Sequence, residues 1–178
     1  MTRKARGKVD PIEQEIELAL HPGAFIPDRA GFSFVGGLVE VAARIAKLTA
    51  NDASRAVALY ETFLAACYLK IEELDDSSGG FGQFVDGLYC GWIKARQTEG
   101  ANPNETASRL LAWMDDDEHG FCYDLEKGAA RVLNKDNLAA FATQIRARFD
   151  DAAKVPPKTD GRFKDRPDYL RRRWGEAL

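Results

Sequence analysis

The sequence predicts an all-α fold, built from antiparallel helical hairpins stacked as an irregular array. Three observations predict it. Helix starts are legible: an N-cap acceptor, a proline at the first helical position and a nearby glutamate occur at Asp10-Pro11-Ile12-Glu13 and again at Asn102-Pro103-Asn104-Glu105. Apolar residues step by three and four along most of the chain. No stretch alternates with period two between turn signals, so no sheet is expected.

In chain order, the first helix follows the Asp10-Pro11 start. His21 to Gly31, with Pro22 and Pro27, reads as irregular. Ser33 is a plausible cap for a helix from about 33 to 48, with Val35, Leu38, Ala42 and Ile45 on one face. Asp52 caps the next, whose stripe is Ala56, Tyr60, Phe63, Cys67, Ile71 and Leu74. Leu88, Trp92 and Ala95 continue the pattern, and Ala107, Leu110, Leu111 and Met114 form a short stripe after Asn102. Leu125, Ala129, Val132 and Leu133 make another. Leu138, Phe141, Ile145 and Phe149 follow a cap at Asn134 or Asp136. Asp165 is the plausible cap of a last helix with Tyr169, Leu170, Trp174 and Leu178 on one side. The domain reading is a helical-repeat domain over 1–152, a Pro-rich linker over 153–161 and a basic C-terminal helix over 162–178. That helix stops at Leu178 without a C-cap signal, so the start of a truncated further hairpin is expected there.

An apolar share of 45% and a charged share of 30% are those of a soluble globular chain, and no apolar run is long enough to span a membrane. The basic start Met1 to Lys8 is not followed by a signal-peptide core, so a cytoplasmic location is expected. Cys67, Cys90 and Cys122 are scattered, with no CxxC, and His21 and His119 lie far apart, which excludes a clustered zinc site. The net charge of −3 is uneven: residues 1–8 carry four positives, residues 154–178 carry eight against four negatives, and the middle has a net of −11. Phosphate-loop, dinucleotide and nucleophile-elbow patterns are missing, so no catalytic residue and no cofactor are assigned.

Chemistry concentrates in two acidic inter-helix loops, Leu74 to Gly80 and Met114 to Gly120. Laid over a calcium loop, the second places Asp115, Asp117 and Gly120 at positions 1, 3 and 6, with Glu126 at position 12 and His119 at position 5. The first places Asp75, Ser77 and Gly80 similarly, with Asp86 at position 12. The competing reading is local. Aspartate and serine cap the following helix, and glycine supplies positive φ. Arg162, Lys164, Arg166, Arg171, Arg172 and Arg173, beside Phe163, Tyr169 and Trp174, form a basic aromatic tail. Such a tail could grip nucleic acid or pair with the acidic body, and the pairing is the reading preferred here.

Tyr60 to Cys67, then Glu72-Glu73-Leu74-Asp75-Asp76-Ser77-Ser78-Gly79 and Phe84 to Leu88, resemble a helical region of an uncharacterised bacterial family with an Asp-Asp-Ser-x-Gly inter-helix motif. They are similar also to the helical region of bacterial SWIM zinc-finger proteins. The resemblance covers about residues 52–150 and implies a tetratricopeptide-like αα array. The SWIM finger's own Cys-x-Cys and Cys-x-His ligands are absent. The expectation is a non-enzymatic module with a protein partner. Calcium binding through the acidic loops and nucleic-acid contact through the tail are the alternatives.

Overall fold

The computed structural model describes residues 10–154 and 166–177, with side chains from 172 onward in the last helix. Among these residues lie eight α-helices, one 3-10 turn and no strand, only a single parallel bridge between Ile26 and Leu74. The chain divides into two compact units, Met1–Glu99 and Gly100–Leu178.

Unit 1 holds α1 (Pro11–Ala19), α2 (Asp28–Thr49), α3 (Ala53–Lys70), the 3-10 turn Ile71–Glu73 and α4 (Gly80–Thr98). Asp10 caps α1 by accepting the Ile12 N–H, and Asp52 caps α3 by accepting that of Arg55. Buried positions on α3 run through Ala56, Val57, Leu59, Tyr60, Phe63, Leu64 and Cys67, which is wider than one stripe. A helix apolar on several sides belongs inside, and α3 packs on α1, α2 and α4. The Phe63 and Phe84 rings meet edge to face at 5.3 Å. Phe34 on α2 and Phe81 on α4 stack at 6.3 Å, which places the two helix N-termini together. Short connections reverse the chain twice between them, so α2 and α4 run in the same direction.

Unit 2 holds α5 (Pro103–Asp116), α6 (Leu125–Val132), α7 (Lys135–Lys154) and α8 (Arg166–Ala177). Asn102 accepts the Asn104 N–H at 2.9 Å to start α5, and Asn134 accepts that of Asn137 at 3.1 Å to start α7. Leu110, Leu111, Leu125, Ala129, Phe141, Ile145 and Trp174 are buried.

Several details differ from the sequence reading. The two units meet after Glu99 in the chain, where Gly100 at φ +74° ends α4 and Pro103 restarts the chain as α5. α7 runs through Ala153 and Lys154, so the linker does not begin at 153. α2 begins at Asp28, directly after Pro27, which leaves Ser33 inside the helix. Leu138 is 37% exposed and faces away from the core. The Asp165 cap, the 1–8 basic stretch, most of the linker and the Tyr169, Leu170 and Leu178 side chains lie outside the described residues.

α4 meets the Tyr60 ring of α3 at Gly91. A Cβ placed there would lie 2.5 Å from the Tyr60 ring. Helix propensity favours alanine over glycine by roughly 1 kcal/mol, whereas overpacking a core costs about 1–3 kcal/mol. Gly91→Ala is therefore expected to lower the urea midpoint, and Tyr60→Ala in the same chain to remove the penalty specific to the Gly91 change. Double-mutant denaturation checks both.

Candidate functional site

The two acidic loops carry the same device. In unit 1, Asp76 accepts the Phe81 N–H with one carboxylate oxygen at 2.8 Å and the Gly82 N–H with the other at 2.9 Å. These are two of the first N–H groups of α4, which have no partner within the helix. In unit 2, Asp117 accepts from Phe121 at 3.1 Å and from Cys122 at 2.7 Å. It also takes the His119 N–H at 3.3 Å. Each loop turns on a left-handed glycine, Gly79 at φ +71° and Gly120 at φ +80°. Each delivers a buried phenylalanine, Phe81 or Phe121, to its unit's core. The pattern of an aspartate, a left-handed glycine and a phenylalanine was visible in the sequence. The calcium-loop alignment obscured it.

The structure does not assemble the expected cation ligands. Asp115 pairs with the Arg148 guanidinium. Asp117 is committed to backbone N–H groups. Glu126 is buried and receives Arg173 at 2.9 Å. In unit 1, Asp75 accepts the Ser77 hydroxyl and the Ser77 N–H, and these bonds hold its carboxyl below the usual range. Asp86 lies exposed on α4. Among the described residues, no three His, Cys, Asp or Glu side chains are placed to hold a metal ion. Of the carboxylates in the calcium reading, Asp75 and Asp117 serve turns, and Asp115 and Glu126 serve arginines.

Those arginines hold α8. Arg173 donates to Glu126, to the Tyr123 carbonyl at 2.9 Å and to the Cys122 carbonyl. Arg148 on α7 joins Asp115 and lies over the Trp174 ring, with 5.2 Å to the centroid. A cleft of about 510 Å³ beside Arg173 is lined by both signs of charge, Lys127 and Arg172 against Asp124 and Glu176. Within the described part of α8, then, Arg173 serves the acidic loop of its own unit, and Arg172 lies 3.9 Å from Glu176.

A buried cation closes one end of unit 1. Lys70 is 4% exposed and donates to Glu73 at 2.7 Å and to the His21 carbonyl at 3.1 Å. Glu73 also accepts the Gly23 N–H. This knot, with the Ile26–Leu74 bridge, ties the irregular 20–27 segment to the end of α3. The Lys70 ammonium, and secondarily the Gly23 N–H, hold the Glu73 carboxyl below the ordinary carboxylate range.

Sequence reasoning missed a groove of about 580 Å³ between α2 and α4. Val39, Ala42, Ala43, Ala46 and Thr49 form one wall, and Gln83, Phe84, Gly87, Leu88, Cys90, Gly91 and Lys94 the other, with Tyr60 at the floor. Val39 is 50% exposed. The only hint in the sequence was the run of small residues at helical spacing, which reads equally well as a core stripe.

The chain matches no family model, and neither the curated proteins nor the solved structures compared with it give a match. No described helix is long and apolar enough to cross a membrane.

Two outcomes follow from this geometry. Asp117→Ala leaves at least two N–H groups without their acceptor and is expected to cost about 1–2 kcal/mol in urea unfolding. Millimolar calcium should leave the Tm of the unaltered chain in place. A saturable rise in Tm that Asp117→Ala removes would overturn the capping assignment. The second outcome concerns pH. A carboxyl whose pKa is lowered on folding contributes stability that is complete above the ordinary carboxylate range, near about 4.3, and is lost as pH falls through the lowered value. Between pH 6 and pH 3 the unaltered chain should therefore lose more of its urea midpoint than Glu73→Gln does.

Proposed function

We propose that this chain is a non-enzymatic helical interaction module and that unit 1 docks a protein partner in the groove between α2 and α4. The observation that carries the reading is the groove itself. Its volume of about 580 Å³ lies within the range of recognition pockets, roughly 300–1,000 Å³. Apart from Gln83 and Lys94 its walls are apolar or small, and Val39, Ala43, Ala46 and Gly87 stay exposed on helices that pack against α3. Arrays of antiparallel helices commonly recognise partners through such surfaces, and a tetratricopeptide-like stacking belongs to this reading.

The charged side chains support the same reading. Asp76 satisfies helix N–H groups, Asp117 satisfies those of the turn before α6, Asp115 and Glu126 hold arginines, and Glu73 holds Lys70. None of these sits in the groove, so the groove offers contact area rather than paired acids and bases.

A photo-crosslinking amino acid tests the reading. Placed at exposed Ala43 in the source cell, it should join the chain to a defined protein. Val39→Glu should remove that product without lowering Tm, because Val39 is half exposed. The same group at exposed Gln14 on α1 serves as the control. Identical products from both positions would end the proposal.

A further inference from the structure

The groove has a length, a texture and a charge, and together they specify its occupant. On α2 it runs from Val39 to Thr49 and on α4 from Gln83 to Lys94. At 1.5 Å per residue each wall is roughly 15 Å long, about three helical turns. Because α2 and α4 run in the same direction, the walls are in step. Val39 and Gln83 stand at one end, and Thr49 and Lys94 at the other.

The texture favours a helix. Ala42, Ala43, Ala46, Gly87 and Gly91 carry nothing beyond a Cβ. Gly87 has open space where its Cβ would be. Small residues let a third backbone approach toward the short end of the roughly 8–10 Å spacing of packed helices. The room left at Ala42, Ala46 and Gly87 takes large side chains from that helix, whereas the Tyr60 ring fills the space at Gly91. An enclosed small-molecule site would cover most of its ligand. Here Val39, Gln83, Gly87 and Lys94 are open to solvent along the rim, which suits an occupant with one buried face and one wet face.

The charge is local. Among the described residues, Lys94 is the single charged side chain lining the groove, and no carboxylate lines it. Nearby Arg44 is already paired with Glu15. No described ion pair includes Lys94. Lys47, also exposed, stands in the last turn of α2, toward the same end. An otherwise acidic body thus presents an uncommitted cation at one end of its apolar groove.

We propose that the occupant is an amphipathic helix of a partner protein, about three turns long. Its large apolar residues, at i, i+4 and i+7, seat against Ala42, Ala46 and Gly87. An aspartate or glutamate at one end meets Lys94. This rests on the interaction-module reading and adds the chemistry of the partner. Isolated helices this short are marginal in water, so the partner's helix belongs to a folded element or orders on binding.

The test is selection from a displayed library of helical peptides against the full chain, with Val39→Glu as the counter-selecting competitor. The apolar positions vary among Leu, Ile, Met and Phe, and the end positions vary over all residues. The expected result is enriched helices with Asp or Glu at one end only. Their affinity should fall about threefold against Lys94→Gln, the scale of one exposed ion pair. Enriched helices without an acidic preference would overturn the charge assignment and leave the docking reading in place. No enriched helix would overturn the helical occupant, while the crosslinking result decides separately whether the groove meets a protein. Concentration-dependent dimerisation, measured by sedimentation and abolished by Val39→Glu, would assign the groove to a second copy of the chain and overturn the proposal.

Discussion

A helix that begins against a packed core must find acceptors for its first N–H groups, and here that requirement falls on single aspartates upstream of the turn. Asp76 spans two consecutive N–H groups at the start of α4 with its two oxygens. A buried donor without an acceptor costs about 1–3 kcal/mol, so this carboxylate is worth more than its exposure implies. By fixing where α4 starts, Asp76 also fixes the phase of the helix. Phe81, Phe84 and Leu88 turn toward the core, while Gly87 and Lys94 remain outside on the groove rim. The groove is a consequence of that phase. In unit 2, Asp117 holds the Phe121 and Cys122 N–H groups of the turn before α6, and the carbonyls of Cys122 and Tyr123 then accept Arg173 of α8.

Carboxylates recur in two roles here, accepting backbone N–H groups and pairing with cations, and Asp10 does both. In the second loop Asp117 takes the backbone role, while Asp115 and Glu126 take the arginine role. The Arg173–Glu126 pair is almost fully withdrawn from water, with side chains 13% and 9% exposed. Such a pair repays its desolvation through further hydrogen bonds, and the two backbone carbonyls accepting from Arg173 provide them. Two of the carboxylates in and after this loop are thus paired with cations from α7 and α8 of its own unit.

The legible parts of the fold were those decided locally. Asp10, Asp52, Asn102 and Asn134 cap their helices because a short acceptor, a turn and an apolar run lie within a few residues of one another. The start of α2 was hidden because Pro22, Gly23, Pro27 and Gly31 all speak for a loop, whereas Pro27 stands at the N-cap and the helix begins directly after it. The roles of Asp115 and Glu126 were hidden for a different reason. Their partners lie 33 and 47 residues away, and spacing along the chain carries no trace of such pairs. A calcium loop and a capped turn draw on the same residues, aspartate, glycine and a later glutamate. Only the direction of the carboxylates separates them.

The groove was illegible because small residues at helical spacing mean two opposite things. At Gly91 the missing side chain is filled by the Tyr60 ring, so the position is core. At Gly87, one turn earlier, nothing fills it, and the position is surface. A stripe that reads Gly87, Gly91 and Ala95 in sequence therefore runs from the open groove into the packed interior. Ala42 shows the same ambiguity on α2: it was grouped with Leu38 and Ile45, yet those two are buried against the core while Ala42 lines the groove. The difference is set by neighbours on other helices. It is this change along α4, from filled to unfilled glycine, that gives the groove both a floor at Tyr60 and room above it for a third helix.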